Sequence, residues 1–159
     1  MTDSNNSTQG KTQRGNDEPL TEQALEKILT SPSIDAAAQV EEPVHRDLPG
    51  YLQNLMAEKG IDQPTLIRNS GLNYNHAYDV INGRNAKGVS RNKALGLCFG
   101  ARCTPREAQR LLWHAQCSRL YARNRRDAII LFCLEHHQTL AAADEALYRF
   151  GEETIDDAR

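Results

Sequence analysis

Three sets of residues in this 159-residue chain have the types and spacing to do chemistry. The first is four cysteines, Cys98, Cys103, Cys117 and Cys133, with His114, His136 and His137 nearby, since thiolate and imidazole are both metal ligands. No second paired motif follows Cys98 and Cys103 at zinc-module spacing, and adjacent histidines on a helix point about 100° apart. These side chains are therefore read as reduced, mostly buried thiols and helix-end imidazoles, with no metal and no cofactor. The second set is a run of cations. Residues 84–126 hold 11 basic side chains (Arg84, Lys87, Arg91, Lys93, Arg102, Arg106, Arg110, Arg119, Arg123, Arg125 and Arg126) against Glu107 alone. Residues 1–47 hold 4 basic and 9 acidic groups, and residues 127–159 hold 2 and 8, so the net charge of -2 conceals a basic block built to face a polyanion. The third set is Tyr74, Asn75, Tyr78 and Asp79, hydrogen-bonding groups that fall on one side of a helix. No G-x-S-x-G elbow, Gly-rich phosphate loop or nucleophilic cysteine motif accompanies them, so the chemistry is that of binding and not of catalysis.

Such groups must be held by a scaffold, and the apolar periodicity predicts an all-α one. Residues 1–18 carry no large apolar side chain after Met1 and are expected to be disordered. Leu20, Ala24, Leu25, Ile28 and Leu29 predict one amphipathic helix over 20–29, docking either on its own domain or on a partner, and a linker follows it to 47. From 48 to 150 the pattern predicts a domain of about seven short helices. The first runs from Pro49 to Lys59, burying Leu52, Leu55 and Met56, with Gly60 as its C-terminal cap. Asp62 caps the second, which carries Pro64 in its first turn, and Asn73 caps the third, which runs to Asn82. Ser90 caps a fourth, closed by Gly100. Thr104 and Glu107 form a capping box that opens a fifth helix burying Leu111, Leu112 and Trp113. Asn124 caps a sixth, apolar nearly all round, and Thr139 a seventh that turns Leu140, Ala143, Leu147 and Phe150 inward. Residues 151–159 are expected to form a frayed polar tail. There is no apolar run long enough to span a bilayer and no secretory leader, which predicts a cytoplasmic protein without membrane contact.

Between the second and third helices, Gly71 supplies the φ > 0 residue that a steep helix-to-helix turn needs. Leu72 plugs that turn, Ile67 faces Ala77 and Val80, and the small Ala77 allows close approach. The 26 residues from Lys59 to Arg84, KGIDQPTLIRNSGLNYNHAYDVINGR, resemble the phage-repressor family of helix-turn-helix proteins, the Cro and λ-repressor-like or XRE type, and the resemblance extends loosely to Gly100. It implies a λ-repressor-like bundle, here extended by about three C-terminal helices, that binds double-stranded DNA and regulates transcription in a prokaryote or mobile element. By that resemblance Gln63 touches a backbone phosphate, Asn82 and Arg84 make phosphate contacts beyond the third helix, and Tyr74, Asn75 and Asp79 face base edges with Tyr78 beside them. Asn73, Lys87 and Arg91 complete the expected DNA-binding set. The sequence departs from the family at Ile67, where alanine is usual, and at Ile81, where a polar residue is usual.

The resemblance also implies a two-fold homodimer, for which Ile129, Ile130, Phe132 and Leu134 either supply the interface or complete the monomer's own core. The basic segment from Arg119 to Arg126 would meet DNA phosphate, or an acidic partner, which includes the protein's own acidic tails. A signalling adaptor built on the same scaffold, with a phosphorylatable N-terminal arm, is the competing reading from the sequence.

Overall fold

The computed structural model describes residues 24–39 and 45–156; the expected disordered stretch 1–18 and the first residues of the 20–29 helix lie outside them. The chain divides into two compact units, 1–44 and 45–159. In the first, residues 24–29 are helical as expected (α1). The stretch expected to be a plain linker holds a further single turn of helix, α2 (Ile34–Ala37), because the Ser33 hydroxyl accepts from Ala36 N–H and Asp35 complements the helix dipole.

The second unit begins at His45, slightly before the expected Leu48, because Asp47 already belongs to it. Its carboxylate accepts from Gly50 N–H at 3.0 Å, capping α3 (Leu48–Lys59), and its N–H donates to His114 Nδ1 at 2.9 Å. Then follow α4 (Gln63–Ser70), α5 (Tyr74–Ile81), α6 (Arg91–Gly100), α7 (Pro105–His114), α8 (Arg125–Glu135) and α9 (Leu140–Arg149). Among the described residues there is no strand, and no helix is long and apolar enough to cross a membrane.

Helix α6 is the axis of this unit, with every residue from Ala94 to Gly100 buried. It lies against α4 at backbone contact. A Cβ added to Gly100 would sit 2.5 Å from the Leu66 carbonyl oxygen and 3.0 Å from Ser70 Cβ, and one added to Gly96 would sit 2.6 Å from the Ser70 carbonyl oxygen. Gly100 therefore lies inside the helix and does not close it, contrary to the sequence expectation. The closing residue is Arg102, at φ 52°, which lets Cys103 N–H donate to Cys98 O at 2.9 Å. The next two helices close in the same way: Gln116 (φ 58°) ends α7 and His137 (φ 52°) ends α8, with Cys117 N–H on Leu112 O and Gln138 N–H on Cys133 O.

Helices α7 to α9 share one core with the helix-turn-helix, through Leu111, Leu112, Ile130, Cys133, Leu134, Ala143 and Leu147. Ile130 and Leu134 are thus used within the monomer and cannot supply an intersubunit surface; Phe132 is exposed and Ile129 half-buried. Two other expectations also fail. Trp113 is 38% exposed, because Ala108, Leu111 and Leu112 already fill the inward face of α7; its indole lies under the Arg46 guanidinium at 4.9 Å. Phe150, the residue capping α9, is 49% exposed beneath Arg149. The tail is not frayed over its described part. Ile155 is buried, and the buried Asp144 carboxylate accepts from the N–H groups of Ile155 (2.6 Å) and Asp156 (3.0 Å), replacing the water those amides would otherwise need.

The two kinds of glycine predict different costs. At Gly60 (φ 63°) a Cβ meets nothing within 4 Å, so Gly60→Ala should lose only the left-handed backbone preference, roughly 1 kcal/mol. Gly100→Ala has no backbone problem but must separate α4 from α6, and should lose about 2–3 kcal/mol by overpacking. Urea denaturation of both variants checks the order; equal midpoints would contradict the close approach.

Candidate nucleic-acid interface

The candidate interface is built on the α4–α5 corner. Asp62 caps α4 by accepting from Thr65 N–H at 2.9 Å, and hydrogen bonding from Thr65 holds its exposed carboxyl below the usual range. Ser70 Oγ donates to Ile67 O at 2.7 Å and accepts from Leu72 N–H at 3.3 Å, so the buried hydroxyl ties the end of α4 to the turn. Gly71 takes φ 70°, and the space where its Cβ would lie is filled by Leu140 Cδ2 at 2.8 Å and Asp156 Oδ2 at 3.2 Å. The turn is thus braced from α9 and from the tail. Asn73 caps α5, its Oδ1 accepting from the N–H groups of Asn75 and His76. Ala77, Val80 and Ile81 of α5 face inward, and Ile67 of α4 joins them. The two departures from the family pattern, Ile67 and Ile81, are therefore core residues, 2% and 0% exposed.

The outward side of α5 carries the expected groups. Tyr74 and Asn75 are exposed, while Tyr78 and Asp79 are half-buried. The Tyr74 and Tyr78 rings stack at 6.3 Å, and the helix ends with Gly83 at φ 73°, which brings Arg84 N–H back to Asp79 O at 2.8 Å. That return places the Arg84 guanidinium over the Tyr78 ring at 5.7 Å, giving a column of two aromatic rings and a cation along α5. Gln63 and Asn82, expected as separate phosphate contacts, exchange paired amide hydrogen bonds at 3.3 Å, locking the start of α4 to the end of α5. In the following loop Asn85 accepts from Lys87 N–H and donates to Gly88 O, fixing a turn from which the exposed Lys87 projects. The sequence reading left out His76 on this helix; its Nε2 is buried and, among the described residues, without a hydrogen-bond partner.

Nine of the ten expected site residues thus belong to α4, α5 and the loop after them. The tenth, Arg91, has its guanidinium turned into the protein. It donates to both carboxylate oxygens of the buried Asp127 (3.2 and 3.1 Å), to Ser118 O at 3.1 Å and to Arg119 O at 3.0 Å. Asp127 also accepts from Tyr121 N–H at 2.9 Å. Reading charge along the chain could not separate such an internal arginine from an external one, because its partner lies 36 residues away. The one signal was Asp127 itself, the first acid after a long basic block.

Part of the basic segment is likewise answered from within. Arg125 pairs with Glu152 at 2.8 Å and donates to Phe150 O, while Arg126 donates to Glu153 O, Thr154 O and Asn92 Oδ1. The protein's own acidic tail, one of the partners open on sequence grounds, therefore takes these two arginines. All four cysteines are free; Cys98, Cys103 and Cys133 are buried. Burial pushes the Cys98, Cys117 and Cys133 thiols up, with a contact to Cys103 adding to the effect at Cys98, so thiolate is disfavoured there. Among the described residues no three His, Cys, Asp or Glu side chains come together to hold a metal ion.

A short capped helix, a glycine turn and a second helix that presents polar and aromatic groups on a bundle of this kind define a helix-turn-helix DNA-binding domain. Residues 51–109 match the family model of the Cro/C1-type helix-turn-helix DNA-binding domain. Comparison with curated proteins and with solved structures finds no match.

The clamp at Arg91 predicts a stability effect. Arg91→Ala leaves the buried Asp127 carboxylate without its cation and should lower the melting temperature by roughly 5–10 °C, even after allowing for the quarter of Arg91 that meets solvent. Lys87→Ala, at an exposed position, should melt with the parent protein. Scanning calorimetry of the two variants distinguishes them.

Proposed function

We propose that the protein is a sequence-specific DNA-binding transcriptional regulator of prokaryotic or mobile-element type, with α5 as the helix that enters the major groove. The observation that carries this reading is the exposed N-terminal end of α5. There Tyr74 and Asn75 project beside Tyr78 and Asp79 from a helix whose opposite side is anchored by Ala77, Val80 and Ile81. Asn75 offers an amide that can bond an adenine edge bidentately, and Asp79 offers an acceptor for a cytosine amino group. Arg84 and Lys87 supply charge to the flanking phosphates, and the Gln63–Asn82 pair keeps the two helices at one fixed angle under load. The Asn73 oxygen is taken by its cap, so its contribution is to position Tyr74 and Asn75. Arg91 acts from behind, holding the scaffold. A two-fold dimer on half-sites about 34 Å apart is the arrangement this reading implies, and on α8 it would use exposed Phe132 and half-buried Ile129.

Asn75→Ala should weaken binding to a selected site by about 1–3 kcal/mol and leave binding to scrambled duplex almost unchanged. Arg84→Ala should weaken both together and lower the salt dependence by about one ion. Binding isotherms at several salt concentrations measure these effects. Equal loss on both duplexes for Asn75→Ala would mean that α5 is not the reading helix.

A further inference from the structure

Behind the helix-turn-helix lies a cavity of about 700 Å³, within the size range of small-molecule sites. The ends of α4, α6 and α8 and the start of α9 wall it. We propose that this cavity binds a small organic anion with an apolar body, a carboxylate or a phosphate ester, and that the bound anion tightens the hold of the α4–α5 corner on DNA. The binding site stands independently of the DNA-binding reading above; the coupling rests on it.

Charge selects the ligand. Arg68, in the last turn of α4, and Arg102, which closes α6, are exposed at the cavity, and His137, which closes α8, stands with them. Among the described residues neither guanidinium forms an ion pair or donates a hydrogen bond. Arg68 feels the charge of Asp62 from the other end of its own helix, but the Asp62 carboxylate is spent on Thr65. The two acids on the wall are also committed. Both oxygens of Asp144 accept backbone N–H groups, those of Ile155 and Asp156, and Asp156 is itself engaged. The charge left for a ligand is therefore positive, and guanidinium groups hold carboxylates and phosphates through paired hydrogen bonds.

The apolar body has a floor. Phe99, Cys103, Leu134 and Leu140 line the cavity from the shared core, so apolar surface leaves water on entering. The rim is preordered, because Cys103 N–H on Cys98 O fixes the backbone at Arg102, and Gln138 N–H on Cys133 O fixes it at His137. Groups on such a rim lose less freedom on binding than groups on a mobile arm. Position then supplies the coupling. Gly71 and Leu140 line this same cavity, and Leu140 Cδ2 stands 2.8 Å from where a Gly71 Cβ would lie. The cavity leaves Leu140 room to withdraw from the turn; a ligand beside it takes up that room and holds the corner in the geometry that presents α5. By linkage, DNA must tighten the anion by the same factor.

The test uses the full chain, labelled with nitrogen-15, and three probes, phenylacetate, octanoate and phenyl phosphate, with phenethylamine as a cationic counterpart. In NMR titrations at constant ionic strength the anions should shift the amides of residues 68–71, 99–103 and 137–141, and phenethylamine should not. Arg102→Gln and Arg68→Gln should melt with the parent and each weaken the anions by about tenfold or more, and Arg102→Lys should restore most of the loss. Saturating phenylacetate should tighten binding to a duplex by about fivefold or more in the parent and not in Arg102→Gln. No localised shift with any of the three anions, equal binding of phenethylamine, or unchanged affinity in both glutamine variants overturns the site. Glutamine variants that both melt well below the parent overturn it too, since the arginines would then be structural. Localised binding with DNA affinity unchanged or weakened overturns the coupling, while the site and the DNA-binding reading stand. If the parent binds the anions but no duplex, the DNA-binding reading falls and the site remains.

Discussion

The helix-turn-helix depends on one close approach, that of the α6 backbone to the end of α4. Gly96 and Gly100 stand one helical turn apart on α6, and each leaves room for a main-chain carbonyl of α4, that of Ser70 and that of Leu66. Because the contact is made by backbone and not by long side chains, α4 has almost no freedom to pivot. Ser70 sits in the same contact, and its hydroxyl fixes the first residues of the turn. The orientation of α5 is then determined by a chain of short links from α6 through Ser70 and Gly71 to Asn73. The amide pair between Gln63 and Asn82 closes the far end of the same corner.

What the sequence made legible were the features whose cause is local. The caps at Asp62, Asn73, Ser90, Thr104, Asn124 and Thr139 all form, as do the left-handed glycines at 60, 71 and 151, because each needs only neighbours within a few residues. What escaped were consequences of distant neighbours. The G-x-x-x-G spacing at 96–100 was visible, yet only the presence of α4 makes it a contact surface and not a helix end. Trp113 and Phe150 follow apolar periodicity, but the inward faces of their helices were already full. The tail looked polar because four of its described residues are polar, and the single Ile155 decided its fate.

At the candidate interface the same division holds. Tyr74, Asn75, Tyr78, Asp79 and Arg84 are placed by one helix and its termination, so their grouping could be read from spacing. Gln63 and Asn82 were both identified, but their mutual pairing was not. The basic block is divided in space in ways its sequence does not show: Arg84 and Lys87 stand beside α5, Arg91 and Arg125 pair with the protein's own acids, and Arg126 is held by carbonyls of the tail and the Asn92 amide. Arg91 shows why a charge count misleads, since its guanidinium orders the loop after α7 by gripping two carbonyls and a buried carboxylate.

The brace behind Gly71 carries a consequence for the order in which the molecule can be made. Leu140 and Asp156 press on the turn from α9 and from the residues after it, 69 and 85 residues further along the sequence than Gly71. Domains emerging from the ribosome fold from their N-terminal side as units, and contacts between distant residues form late. The corner formed by α4 and α5 can acquire its local caps early in synthesis, but its final support arrives only once Leu140 and Asp156 have been translated. A chain that has not yet reached Leu140, or is cut before it, would therefore hold a loosely set corner, because the side chains that press on the turn at Gly71 would be missing.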